Sequence, residues 1–196
     1  MTDQNKMKAS TTALICTSFL FFYHWVLSAL MVVTPLPHTM LGVALPLLLG
    51  SISLVGAALA LSSLKGRRWL PGLPLLLVIG VIVATTFLSI PLGFSHLIGG
   101  FGLIPSLWTV AFLLLAPCSS LFLFSLPERT AVVKTAIAIT GVVTLFALLI
   151  LLLVGPVMLA GDSIIPLIGF LWLYGVIGLP IIGVLFIIVA IWGRSE

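Results

Sequence analysis

The side chain with the greatest chemical potential in this sequence is His24, set in Phe21-Phe22-Tyr23-His24-Trp25 inside a long apolar run. An ionisable group within a membrane span is expensive to hold in its charged form, and it marks a functional-site hypothesis by default. On a straight α-helix Thr17, His24 and Ser28 share one face, at spacings of seven and four, and that stripe is expected to point into a helix bundle. Counted from Ala13, His24 lies about 16 Å into its span, near the middle of a bilayer. Two other spans bring hydroxyls to a similar depth: Thr85 and Thr86 in one, Thr144 in another. Together these six residues form a candidate polar layer lining a substrate path. Each has a plainer use as well. Threonine hydroxyls bond carbonyls of their own helix, and His24 can bond one neighbour as structural glue.

Cys16 and Cys118 offer a second chemistry. Neither belongs to a C-x-x-C pair or lies beside a histidine or an acidic residue, so no disulfide framework or metal spacing is present. Placing one cysteine in the first span of six and one in the fourth resembles the thiol–disulfide carriers of the CcdA type, and Ala116-Pro117-Cys118 sets a proline beside the second cysteine. That resemblance implies a redox pair formed by Cys16 and Cys118. The first span departs from the family pattern, with Ile15-Cys16-Thr17 in place of Pro-Cys, and buried membrane cysteines commonly serve as small apolar filler.

Other chemistries lack their residues. The sequence has no G-x-S-x-G, no H-E-x-x-H, no phosphate-binding Gly-Lys motif and no acidic pair within a span. No catalytic residue, metal or cofactor is therefore assigned, and an enzyme is the least expected class. His38, His96 and Asp162 fall in separate connections without ligand spacing, and a single intramembrane histidine argues against paired haem ligation.

The elements that must position these residues follow from composition. Of 196 residues 62% are apolar and 6% charged, with a mean hydropathy of +1.42. A soluble domain carries about a quarter charged residues, so this chain is expected to be solvated by lipid. A soluble enzyme, a nucleic-acid reader and a disordered tail are excluded. No charge falls between Lys8 and Lys65, or between Arg68 and Glu128, and only Asp162 interrupts Thr135–Gly193. A span needs roughly 20 apolar residues, so each stretch divides into two.

The expected fold is an all-α, polytopic integral membrane protein, a six-helix bundle with spans at Ala13–Val33, Met40–Leu64, Leu73–Leu92, Leu103–Leu126, Ala131–Val157 and Ile164–Trp192. Residues 1–12 form a short N-terminal segment, 13–192 a single membrane domain and 193–196 the C-terminus. With six spans, all eight Lys and Arg fall on the side of the termini, which the distribution of basic residues places in the cytoplasm. Lys6 and Lys8 before an apolar run resemble a signal peptide, but the run is longer than a signal core and no A-x-A site follows.

Lipid supplies no hydrophobic drive between helices, so close contact relies on small residues. Ser53-x-x-x-Ala57 and Gly56-x-x-x-Ala60 carry that pattern in the second span, joined by Gly50 and Ser51, with Gly141 in the fifth and Gly175 and Gly178 in the sixth. Pro117 and Pro180 fall within spans, where each frees a carbonyl upstream that a neighbouring helix, a hydroxyl or a water-filled cavity must satisfy.

These features are expected in a transport or permeation component of the cell membrane that handles a small substrate without charge, since no intramembrane counter-charge is present. The other reading is a non-catalytic subunit or assembly factor of a larger membrane complex. The expected partners are the lipid bilayer, other membrane subunits or a second copy of the chain, and not nucleic acid.

Overall fold

The computed structural model describes residues 3–64, 66–90, 103–126, 130–160 and 168–193. Among these residues there is no strand. Six helical stretches are long and apolar enough to cross a membrane: Ala9–Val33, Met40–Ser62, Trp69–Ser89, Leu107–Ser125, Ala131–Leu153 and Gly169–Trp192. They coincide with the six stretches expected from the charge-free runs. Residues 91–92 and 164–167, expected within the third and sixth spans, lie outside the described residues.

Span 1 is α1 (Asp3–Ser18), a 3-10 segment (Phe19–Phe22) and α2 (Tyr23–Val33). Span 2 is α3 (His38–Ser62), followed by a 3-10 connection (Gly66–Gly72). Span 3 is α4 (Leu73–Ser89), opened by Pro74 in its first turn, where a missing N–H costs nothing. Span 4 is α5 (Leu103–Ser125) and span 5 is α6 (Ala131–Ala160). Span 6 is α7 (Ile168–Leu173), a π-helical turn (Tyr174–Gly178) and α8 (Leu179–Trp192).

Each span packs against the next, and α8 closes the ring by packing on α1. The described chain starts and ends at one end of this ring, called proximal here. There the Thr130 hydroxyl donates to the Gly193 carbonyl at 3.0 Å, joining the start of span 5 to the end of span 6. The basic residues Lys6, Lys8, Arg67, Arg68 and Lys134 belong to helix ends or connections on the same side.

Small residues set the tightest contact. A Cβ added at Gly56 would lie 2.7 Å from both the Ala13 carbonyl oxygen and the Thr17 backbone nitrogen, and 2.8 Å from the Cys16 Cβ. Backbone meets backbone there, as the small-residue pattern of span 2 requires. Ser53 extends the seam, its Oγ accepting the Leu20 N–H at 2.9 Å. Gly141 does not act this way: its missing Cβ faces nothing within 4 Å. Ser51 is exposed and lines an open apolar groove of about 570 Å³ between α1 and α3, with Ala9, Ala13, Cys16 and Gly56.

Candidate functional site

Span 1 leaves α-helical geometry immediately before His24. Within the 3-10 segment the Leu20 N–H turns to Ser53 of α3. The 3-10 turn holds 3.0 residues instead of 3.6, so four such residues rotate all that follows by about 80°. This corrects the single stripe of Thr17, His24 and Ser28. Thr17 is fully buried against α3 and bonds the Ala13 carbonyl of its own helix at 2.8 Å. His24 is half-buried and faces spans 4 and 6. Ser28 is exposed and donates to the His24 carbonyl at 2.8 Å. Counted along the helical stretch Ala9–Val33, His24 stands about 14 Å from its distal end.

Span 6 breaks opposite. In its π-helical turn the Leu179 N–H bonds the Tyr174 carbonyl, five residues back. Pro180 has no N–H to return to Val176, and the freed Val176 carbonyl instead accepts the Trp25 indole N–H at 2.8 Å. Gly175 lies against His24: an added Cβ would fall 2.4 Å from the imidazole Cδ2 and Nε2. Only a residue without a side chain fits between the turn and the ring.

Span 4 supplies the third wall. Pro117 cannot donate to the Leu113 carbonyl. The fully buried Tyr174 hydroxyl fills that gap, accepting the Ala116 N–H at 3.3 Å and sharing its proton between the carbonyls of Phe112 at 3.1 Å and Leu113 at 3.2 Å. Pro117 and Pro180 thus each have a freed carbonyl covered by an aromatic donor from another span, as the low-dielectric interior demands. Phe112 packs edge-on against both His24 (5.5 Å between centroids) and Tyr174 (5.8 Å). Trp108 stacks on Phe112 at 5.0 Å and donates its indole N–H to the Thr86 hydroxyl at 3.3 Å.

Within this frame two polar side chains keep free hydrogen-bonding capacity. Among the described residues neither the Tyr23 hydroxyl nor the His24 imidazole makes a hydrogen bond, although Tyr23 is only 2% exposed. Every sealed side-chain nitrogen or oxygen among those residues has a partner, so the free capacity belongs to atoms that reach accessible surface. No described protein group bonds the His24 nitrogens, while its ring packs against Phe112 and Gly175.

The remaining candidates divide. Thr86 joins the site through Trp108 while bonding the Ile82 carbonyl at 2.7 Å. Thr85 bonds Val81 and Ile82 of its own helix. Thr144 bonds the Thr140 carbonyl and Ser120 of span 4, on the span 4–span 5 seam. Cys16 is half-buried at the groove beside α3, whereas Cys118 is buried in the core, and their helices are not principal packing partners. Among the described residues no group of three metal-ligating side chains comes together. His96 and Asp162 lie outside the described residues.

Tyr23, Trp25, Trp108, Phe112 and Tyr174 were not singled out by residue type, because aromatics in an apolar run look like filler. The available signal was Pro117 and Pro180, each requiring a donor from elsewhere. No protein-family model, curated protein sequence or solved structure matches this chain.

Proposed function

We propose that this protein is a permeation or transport component of the cell membrane, with both termini in the cytoplasm, for a small uncharged molecule that exchanges hydrogen bonds. The observation that carries the reading is the unused capacity of Tyr23 and His24 at the point where spans 1 and 6 both leave α geometry. An unpartnered polar group in an apolar interior costs several kcal/mol, and irregular backbone at membrane depth is tolerated where it lies within protein or lines a water-filled path. A hydroxyl, amide or water that reached Tyr23 or His24 would find a free hydrogen-bonding partner there. Lys134 is the single charged residue within the six described spans, and it stands one turn from the proximal end, so the site offers polarity without a counter-charge.

The test is solute flux into proteoliposomes, with water, glycerol and urea as probes and light scattering as readout. Wild-type protein is expected to raise the permeability of at least one probe. His24→Ala is expected to lower that rate by about tenfold, the factor that 1.4 kcal/mol of lost interaction produces, with flux compared per folded protein because the emptied space beside Phe112 and Gly175 also lowers thermal stability. Full flux in the folded variant overturns the role of His24. Mass spectrometry of the natively purified protein addresses the other reading: a stoichiometric partner chain, with no flux for any probe, would favour a non-catalytic subunit.

Orientation has its own measurement. Lys134 is exposed at the proximal end, and Leu36 is exposed in the turn between α2 and α3. In intact cells Leu36→Cys is expected to react with an impermeant thiol reagent, while Lys134→Cys stays protected. The reverse pattern overturns the cytoplasmic placement of the termini.

A further inference from the structure

The two breaks divide spans 1 and 6 into halves that are packed very differently. On the proximal side of the π turn, α8 buries Leu179, Pro180, Ile182, Gly183, Leu185, Phe186, Val189 and Ala190. Its Gly183 sits against the Phe22 ring and the Phe21 Cβ, and the Phe186 ring lies 5.4 Å from Phe21 and 5.5 Å from Phe122. On the distal side the described residues of spans 1 and 6 are less buried. Of α2 only Tyr23 is buried, while Met31, Val32 and Val33 are exposed. In α7, Gly169, Phe170, Trp172 and Leu173 are exposed, and among the described elements α7 packs chiefly on the π turn that follows it. The distal half of span 1 is joined to the π turn of span 6 by the Trp25–Val176 hydrogen bond. That bond is not fixed by burial, since Trp25 is 52% exposed.

Short 3-10 and π segments within a helix commonly mark hinges, and regions with few buried contacts open at low free energy. We infer that residues 23–33 form a movable distal gate that swings on the 3-10 segment and is latched to the π turn of span 6 by the Trp25 indole on the Val176 carbonyl. His24 rides on the moving half. Opening parts its ring from Phe112 of span 4 and exposes the Tyr23–His24 pair to the distal side; closing returns the ring to the pocket that Gly175 leaves for it. The proximal halves remain fixed by the Ser53–Leu20 bond and the Phe21–Phe186–Phe122 stack. This gate rests on the permeation reading for its purpose but not for its existence.

Paired spin labels test it in a background with Cys16 and Cys118 replaced by Ala, in lipid nanodiscs. One pair, Ala29→Cys with Leu107→Cys, reports the distal end of span 1 against span 4. A second, Ala9→Cys with Leu121→Cys, reports the proximal end; all four positions are exposed. The distal pair is expected to give a broad or two-peaked distance distribution and the proximal pair a single narrow one. Trp25→Phe, which keeps the ring and removes the N–H, is expected to shift the distal distribution towards longer distances and leave the proximal one unchanged. A distal distribution as narrow as the proximal one, or one indifferent to Trp25→Phe, overturns the gate. Neither measurement needs a substrate, so a failed flux assay leaves the gate standing and a rigid distal end leaves the flux result standing.

Discussion

Gly56→Ala is expected to destabilise the folded protein by about 1–3 kcal/mol, the usual range for overpacking a well-filled interior. The same substitution at Gly141 is expected to stay within about 0.5 kcal/mol of wild type. The chemical change is identical, and the difference lies in what the new methyl group meets. At Gly56 it falls on the Ala13 carbonyl, the Thr17 backbone nitrogen and the Cys16 Cβ. None of these can rotate aside, so α1 must move away from α3 and give up the Ser53–Leu20 bond. At Gly141 nothing lies within 4 Å. Gly183→Ala falls between the two, because the atoms nearest its methyl group belong mainly to the Phe22 ring, which can shift. Reversible unfolding in detergent orders the three variants. A Gly56 variant as stable as the Gly141 variant would show that spans 1 and 2 do not depend on backbone contact.

That contrast separates what local sequence determines from what tertiary packing adds. The six spans were legible because charge is so scarce that its absence outlines each crossing. The small residues of span 2 were legible because their spacing of four places Ser53, Ala57 and Gly56, Ala60 on one side of a helix. Gly141 has the same residue type without the neighbours, and composition does not distinguish the two cases. The phase error in span 1 has a different origin. Phe19-Leu20-Phe21-Phe22 contains no glycine or proline, so nothing local announces a 3-10 turn. The Leu20 N–H pairs with Ser53, 33 residues further along the chain, and a local reading of periodicity has no access to such a partner.

The site was half legible for a related reason. His24 stands out because a titratable group in lipid is rare. Phe112 and Tyr174 do not stand out, because aromatic side chains suit any apolar interior. What makes Tyr174 specific is its hydroxyl, whose role exists only relative to Pro117. A proline within a span requires an outside donor, but which tyrosine or tryptophan answers depends on how the spans rotate against one another. Here Tyr174 of span 6 serves span 4, and Trp25 of span 1 serves span 6. The three spans around His24 are thus linked in series through their own backbone defects.

A double-mutant cycle measures the first of those links. Tyr174→Phe keeps the buried ring and its edge contact with Phe112 and removes only the hydroxyl. It leaves the Leu113 carbonyl without a donor and the Ala116 N–H without its side-chain acceptor. Loss of a buried partner costs about 1–3 kcal/mol, with membrane hydrogen bonds towards the lower end, since the largest measured in bacteriorhodopsin is about 1.7. Tyr174→Phe alone is therefore expected to cost about 1–2 kcal/mol. Pro117→Ala restores an N–H at position 117, which can reach the Leu113 carbonyl as an ordinary helical bond. In that background the same Tyr174→Phe change is expected to cost about half as much or less. The coupling between the two positions should then exceed the 0.3–0.5 kcal/mol within which independent sites add. Unfolding free energies of the four proteins decide the matter. Equal costs of Tyr174→Phe in the two backgrounds would mean that the hydroxyl does not serve the proline gap, and would remove the link between spans 4 and 6 on which the third wall of the His24 site depends.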